Sequence, residues 1–155
     1  SLLNFIRRLS KTDTSQKTLM KEFHRFRNEL IQITKDPEEK KALLSALGDL
    51  NGIIAVLVGH AMASQEKAEE IYKVGLNTSR CLMAVGDVIT AWLLLRQADI
   101  AIAKLPMAGK EADFYAGKIA SAKFFVRNYL PHITADRKIV EATDNSIMEI
   151  AEGVF

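Results

Sequence analysis

The sequence predicts an all-α fold, an antiparallel up-and-down four-helix bundle with an additional short C-terminal helix. Apolar residues recur at spacings of three and four through most of the chain, as they do on one face of a helix. Proline and glycine fall between these periodic segments, where helices begin and end. Neither an alternating strand pattern nor an Asn-Gly hairpin turn competes with this interpretation. The short connections favour antiparallel neighbours.

The first two predicted helices meet at the sequence TKDPEEK. The first covers residues 12–35, and its apolar face comprises Leu19, Phe23, Phe26, Leu30 and Ile33. Asp36 can cap the second helix, and Pro37 suits a first helical position because no N–H partner is needed there. The second helix is predicted to continue to residue 73.

Small residues form a stripe along this second helix. They are Gly48, Gly52, Ala55, Gly59 and Ala63. Each glycine costs a helix about 1 kcal/mol relative to alanine. The stripe therefore predicts that another helix or a ligand approaches the backbone closely.

The remaining helices are predicted from the same periodicity. The third covers residues 78–105, after a break at Gly75 and Asn77, and its buried side is predicted to comprise Leu82, Val85, Ile89, Trp92 and Leu93. The fourth covers residues 110–130 and ends at a proline. Thr134 is predicted to cap a final helix that contains Ile139, Ile147 and Ile150.

Length and composition limit the functional classes. A chain of 155 residues, 48% of them hydrophobic, is the size of one domain, predicted to cover residues 1–155. A net charge of +2 argues against nucleic acid as a partner. The apolar run at residues 53–63 falls short of the roughly 20 residues that span a bilayer, so we expect no transmembrane segment. Cys81 is the only cysteine, which fits a reducing compartment, and we expect a cytoplasmic location.

Asp87 and His60 are the strongest candidates for buried chemistry. An aspartate inside a bundle needs a partner, and either Arg80 or His60 can supply it across a helix contact. We interpret Asp87 as a tie between helices, while an Asp87–His60 acid–base pair in a complete small enzyme is a further alternative. Trp92 belongs to the same apolar helix. Arg96 and Asp99 have the spacing of a helix-surface ion pair.

No motif indicates a catalytic or metal site. The three histidines are dispersed singly, and no nucleotide-binding or nucleophile-elbow motif occurs. Cys81 lies on an apolar helix without a nearby histidine, which is typical of an inert thiol. Several basic residues can form either an anion site or a solvated face, and the interspersed acids favour the second; they are Lys17, Lys21, Arg25, Lys35, Lys40 and Lys41. No glutamate has a setting that indicates a general base; those considered are Glu22, Glu66, Glu69, Glu70 and Glu111.

Three segments in the second half of the chain form a recognisable pattern: GDVITAWLLLRQADIA at 86–101, DFYAGKIASAKFFVRNYLP at 113–131 and IMEIAEGVF at 147–155. Together they resemble the C-terminal extension domain of acyl-CoA dehydrogenases of the long-chain and 3-methylthiopropanoyl-CoA types. This resemblance implies that the chain is a fragment of a longer flavoenzyme, which also accounts for the missing N-terminal methionine.

The resemblance also implies a function for the parent protein. Such enzymes use FAD to oxidise the α–β bond of an acyl-CoA thioester in fatty acid metabolism, and their catalytic parts lie upstream. The implied partners are those upstream domains, the acyl-CoA substrate and further copies in a homo-oligomer. This chain is then noncatalytic and holds no cofactor itself. The alternative is an independent helical interaction module that binds a partner helix along Gly48, Gly52 and Gly59.

Overall fold

The architecture comes from a computed structural model, which describes the backbone of residues 13–154 and the side chains of Lys21 and residues 24–154. The described chain forms five α-helices: α1 (Asp13–Ile33), α2 (Pro37–Ala63), α3 (Glu70–Lys104), α4 (Ala112–Asn128) and α5 (His132–Glu141). Single 3-10 turns occur at Leu105–Met107, Gly109–Glu111, Ser146–Met148 and Glu152–Val154. No strand occurs between residues 13 and 154. The predicted all-α class is confirmed.

The start of α2 forms as its sequence predicts. The Asp36 Oδ1 atom accepts hydrogen bonds from the backbone N–H groups of Glu38 at 2.8 Å and Glu39 at 3.1 Å. These N–H groups have no partner within the helix, so the side chain replaces the missing carbonyls. The bond from Glu39 is the main reason that the pKa of Asp36 lies below its ordinary value. Pro37 occupies the first turn.

The predicted boundary between α2 and α3 is wrong. The second helix ends at Ala63, ten residues before its predicted end, and α3 begins at Glu70 rather than at residue 78. Asn77, taken as a helix breaker, lies inside α3 and is buried. Its Nδ2 atom donates to the carbonyl of Lys73 at 3.0 Å and to Oγ1 of Thr143 at 2.9 Å. Because both N–H groups of the side-chain amide have acceptors, this asparagine is tolerated within the helix.

The buried face of α3 also differs from the prediction. Its buried residues are mainly small and follow a three–four repeat: Val74, Asn77, Cys81, Ala84, Val88, Ala91, Leu95, Ala98 and Ala101. Of the predicted set, Leu82, Ile89 and Leu93 are each 44–51% exposed. Both sides of this helix are apolar, so the periodicity alone does not identify the side that packs inward.

The end of the chain contains a further correction. Helix α5 begins at His132, so Thr134 lies within it and does not cap it, and it ends at Glu141 before Ile147 and Ile150. Instead, Oγ1 of Thr134 donates to Oδ2 of Asp49 on α2 at 2.5 Å. Helix α4 packs mainly against α3, whereas α5 packs mainly against α2 and makes a smaller contact with α3. Leucines and isoleucines of α2 fill the core between these helices.

Two helical segments are long and apolar enough to cross a bilayer by length and composition, Pro37–Ala63 and Glu70–Met107. The core helices of soluble proteins meet the same criterion. The apolar residues Leu43, Leu47, Ile53 and Leu57 of α2 are almost completely buried against other helices. The absence of a transmembrane segment stays a prediction.

Candidate functional site

The Asp87–His60 pair, considered as an alternative in the sequence analysis, is not formed. The Nδ1 atom of His60 lies 3.1 Å from Oε2 of Glu70, across the turn between α2 and α3. The Nζ atom of Lys73 donates to Oε1 of the same glutamate at 3.0 Å. The hydrogen bond from Lys73, followed by that from His60, lowers the pKa of Glu70. A carboxylate stabilised in this way is a poor general base near neutral pH.

Asp87 lies beside α5 without the partners predicted for it. It makes no hydrogen bond or ion pair within the part of the chain that the structure describes. Burial, reinforced by the negative charge of Asp136, raises its pKa, while the positive potential of His132 acts in the opposite direction. Arg80 instead binds Asp136, with its Nη1 atom 3.3 Å from Oδ1. The inter-helix tie next to Asp87 is therefore made by Arg80 and Asp136.

A further inter-helix contact is centred on Asp49, an acidic residue that the sequence analysis did not identify. Its side chain is only 13% exposed. It accepts a hydrogen bond from Thr134 Oγ1 and a second from Arg137 Nη1 at 3.3 Å. The Nε atom of Arg137 donates to Glu141 at 2.8 Å. This set of contacts, here called the Asp49 tie, joins α2 to α5.

Gly52 allows the Asp49 tie to form. A Cβ atom at this position would lie 2.5 Å from Nε and 2.6 Å from Cζ of Arg137. The guanidinium group therefore crosses α2 in the space that a side chain would occupy. Gly48 and Gly59 have no neighbour within 4 Å of an added Cβ atom. The predicted close approach is thus found at Gly52, and it comes from an arginine of the same chain.

Trp92 and Arg96 form a second contact, between α3 and α1. The Trp92 ring packs edge-on against Phe26, with 5.3 Å between centroids, and its Nε1 atom donates to Glu29 at 3.3 Å. The guanidinium of Arg96 lies 5.4 Å from the Trp92 ring centroid. The predicted Arg96–Asp99 pair is not formed, since Asp99 contacts Lys35 at 3.6 Å. These residues connect helices.

The other sequence candidates do not form a ligand site among the described residues. Burial raises the pKa of the Cys81 thiol, which opposes thiolate formation. No metal-binding group of three or more His, Cys, Asp or Glu side chains occurs in the described part of the chain. Glu66, Glu69 and Glu111 are exposed. The side chains of Lys17, Leu19, Glu22 and Phe23 lie outside the described residues, as do the N-terminal segment 1–12 and Phe155.

Helix α3 carries an exposed apolar surface. We define the outer face of α3 by six residues that are each 43–67% exposed: Leu76, Leu82, Met83, Ile89, Leu93 and Ile100. Between residues 74 and 95 the only charged residues are Arg80 and Asp87. Arg80 binds Asp136 of α5, and the charges nearest Asp87 also belong to α5. The outer face is therefore uncharged along this stretch.

Comparison with known proteins places this bundle in a family. Residues 17–151 match the family described as acetyl-CoA dehydrogenase C-terminal like. The chain belongs to this acyl-CoA dehydrogenase C-terminal domain family. A broad-specificity linear acyl-CoA dehydrogenase, FadE5 of Mycobacterium tuberculosis, is 47% identical over 119 residues, which cover 76% of this chain and 20% of that protein.

A second relative gives the same assignment. A butyryl-CoA dehydrogenase of Syntrophomonas wolfei is 30% identical over 161 aligned residues, covering 96% of this chain and 25% of that protein. The chain thus spans about a fifth to a quarter of the length of these curated relatives. The family resemblance inferred from residues 86–155 is confirmed, and it extends over α2 and most of α1.

Proposed function

We propose that this chain is the noncatalytic C-terminal helical domain of an FAD-dependent acyl-CoA dehydrogenase that oxidises the α–β bond of an acyl-CoA thioester. The family match over residues 17–151 carries this proposal. Both relatives described above are named as acyl-CoA dehydrogenases, and each extends far beyond the matched domain. The domain's contribution is structural support for the catalytic part.

The polar residues of the bundle support a structural role. Asp49 binds two α5 side chains, Arg80 binds Asp136, and Glu70 binds Lys73 and His60. Such groups cross-link the helices of the domain itself, and their carboxylates are engaged in hydrogen bonds and ion pairs. A catalytic base requires an accessible carboxylate whose pKa is closer to neutrality. We therefore assign the α-proton abstraction to the upstream part of the parent protein.

The glycines of α2 and the outer face of α3 do not fit the pyrophosphate of FAD. A flavin pyrophosphate is usually held by backbone N–H groups of a glycine-rich turn at a helix N-terminus, or by cations. Gly48, Gly52 and Gly59 lie inside α2, and the outer face of α3 offers no charged group along residues 74–95. No step of the reaction is assigned to this domain, and FAD binding is assigned to the upstream part.

The interaction-module alternative loses its main support at Gly52. A partner helix packed along the glycine stripe needs free space over all three glycines. The side chain of Arg137 already fills the space over Gly52. Gly48 lies four residues and Gly59 seven residues from Gly52 on the same helix, so these two glycines alone do not form a continuous seam.

Flavin spectroscopy tests the proposed function. The full-length protein that carries this domain should copurify with a flavin whose visible absorbance is bleached by butyryl-CoA or a longer linear acyl-CoA under anaerobic conditions. The 155-residue chain, incubated with FAD and freed of unbound flavin, should retain none. Retained flavin that is bleached in the short chain would overturn the noncatalytic assignment. A full-length protein without acyl-CoA-dependent bleaching would overturn the parent activity.

A double variant tests separately whether catalytic groups lie in this domain or in the upstream part. His60→Gln with Asp87→Asn removes both groups of the small-enzyme alternative. In the full-length protein we expect the rate of bleaching to change by less than twofold. A loss of a hundredfold or more, with the flavin still bound, would place catalytic groups in this domain.

The location and assembly of the parent protein are part of the same proposal. A cytoplasmic location is supported by the single cysteine, which is buried and forms no disulfide. Cell fractionation of the full-length protein tests this expectation. The family resemblance supports a homo-oligomer, which sedimentation velocity of the full-length protein tests.

A further inference from the structure

We infer that the outer face of α3 is the surface on which the upstream catalytic part of the same acyl-CoA dehydrogenase polypeptide packs. This inference rests on the proposed function, and it identifies the part of the domain that makes the structural contact. The face comprises Leu76, Leu82, Met83, Ile89, Leu93 and Ile100, as defined above.

The distribution of side-chain size along α3 indicates that this face is covered. The inward side is built largely from alanine and other small residues, including Cys81, Ala84, Ala91 and Ala98. The bulkier leucine, methionine and isoleucine side chains point outward. A helix whose outer side faces water usually has the opposite pattern, with charged residues outside. Exposed apolar patches of this kind mark contact surfaces.

The charges of α3 support the same conclusion. Arg80 and Asp87, the only charges between residues 74 and 95, lie on the side next to α5. Between residues 74 and 95, about 33 Å of helix at 1.5 Å per residue, an occupant of the outer face therefore meets no charged group of α3 that it must desolvate. The exposed Arg96 follows this stretch, before Ile100. Gly75 and Gly86 have no neighbour within 4 Å of an added Cβ atom, so the backbone is accessible from outside at both positions. The outer face of α3 is therefore suited to contact with an apolar surface of another protein domain.

The size of the face distinguishes the upstream part from a second copy. Residues 76–100 span about 36 Å, and a helix is about 10 Å wide, so the face presents on the order of 400 Å². A stable interface between separate proteins needs about 800 Å² from each partner. Two surfaces of about 400 Å² each bury about 800 Å² in total. This total is typical of interfaces between two domains of one chain, which begin at about 600 Å² in total. Covalent linkage makes the smaller contact sufficient because it raises the effective concentration of the partner.

The relatives show that such a neighbour is large enough. The alignment with FadE5 covers only 20% of that protein, so about four-fifths of its length lies outside the matched domain. The butyryl-CoA dehydrogenase gives a similar proportion, with 25% covered. A polypeptide of this kind has ample surface to cover one helix face.

Cysteine labelling of the full-length protein tests the inference with two matched positions. Leu93 on the outer face is 48% exposed, and Ile139 on α5 is 47% exposed. Without a partner, Leu93→Cys and Ile139→Cys should react with a maleimide at similar rates, after normalisation to the unfolded protein. Packing of the upstream part predicts that the cysteine at position 93 reacts at least tenfold more slowly than that at position 139. Rates within threefold of one another would overturn the inference.

Cross-linking identifies the occupant. A benzophenone maleimide attached at Leu93→Cys should, on illumination, form a bond to a peptide from the upstream part of the enzyme. In a mixture of ¹⁴N- and ¹⁵N-labelled subunits, a cross-link to this domain in another copy would show a second copy as the occupant and overturn the inference. Protection that arises only on addition of anionic phospholipid vesicles would show a lipid surface and overturn it as well.

The flavin spectrum of the same preparation separates the two proposals. Slow labelling at position 93 with an upstream cross-link, but without acyl-CoA-dependent bleaching, would leave the contact in place and refute the parent activity. Bleaching together with equal labelling rates would support the parent activity and refute the contact.

Discussion

Asp49 and Asp87 are aspartates on adjacent long helices, both next to α5, and they have opposite environments. Asp49 is almost buried and accepts hydrogen bonds from Thr134 and Arg137. Asp87 has no such bond within the described chain, and burial raises its pKa. The sequence context favoured Asp87, because it lies in an apolar helix. The comparison shows that the donors provided by a third helix decide which acid joins the bundle together.

The largest effect is expected from Asp49→Ala. This change leaves the hydroxyl of Thr134 and one arm of Arg137 without their acceptor, at a site that is largely shielded from water. Hydrogen bonds to charged groups contribute about 1.5–3 kcal/mol. We expect the free energy of unfolding to fall by about 2 kcal/mol, measured by urea denaturation. Asp87→Ala is the control and should change it by less than about 0.5 kcal/mol. Equal losses for the two variants would contradict the comparison.

Thr134→Val tests the donor side of the same contact. Valine keeps the shape of threonine but removes the hydroxyl group that donates to Asp49. Arg137 still binds Asp49, so the loss should be smaller, about 1 kcal/mol. Thr78→Val on α3 is a useful control, because the Thr78 hydroxyl only donates to the carbonyl of Val74 in its own helix. A loss at Thr134 that does not exceed the loss at Thr78 would show that the inter-helix bond adds no stability.

Two glycine substitutions sharpen the explanation of the α2 stripe. Alanine is favoured over glycine inside a helix by up to about 1 kcal/mol. At Gly48, where an added Cβ atom meets nothing within 4 Å, Gly48→Ala should raise the unfolding free energy by about 0.5–1 kcal/mol. At Gly52 the same change displaces the Arg137 side chain, so Gly52→Ala should give no net gain. Equal gains in urea denaturation would show that Arg137 moves aside at no cost.

The smallest effect is expected from Asp87→Asn. A raised folded-state pKa means that the folded protein binds the Asp87 proton more tightly than the unfolded chain does. The stability contributed by this group is therefore lost as pH rises from its ordinary pKa through the raised value. Asparagine removes this loss. At pH 7 we expect a melting temperature higher by about 1 °C, corresponding to a few tenths of a kcal/mol, and a difference that shrinks toward pH 4. A difference independent of pH would contradict the assignment.

Local signals in the sequence predicted the fold class and the start of α2. The Asp36 cap and Pro37 act within three residues, so their effect does not depend on the rest of the structure. The family was also predictable, because its motifs are short contiguous segments. These features share one property: the interacting groups are neighbours in the chain.

Features that depend on distant residues were not predictable. The Thr134–Asp49 bond joins positions 85 residues apart, and the Asn77–Thr143 bond joins positions 66 apart. Asn77 was taken as a helix breaker because its hydrogen-bond partner Thr143 lies 66 residues further along the chain. The inward side of α3 was misassigned because its outer side is equally apolar, and only packing against α2, α4 and α5 separates them. A close approach to the α2 backbone was predicted for the stripe that includes Gly52, but Arg137 was not predicted as the group that makes it.

The division between α4 and α5 has a consequence for the way in which the molecule opens. Helix α5 has only ten residues, and an isolated helix of that length is marginal in water. Its helical state therefore depends on the burial of Ile133 and Val140 and on the Asp49 tie. We expect α5 to exchange its amide hydrogens through a local unfolding event that leaves α2 and α3 intact. The Asp49 tie then sets the stability of one cooperative unit, rather than that of the whole bundle.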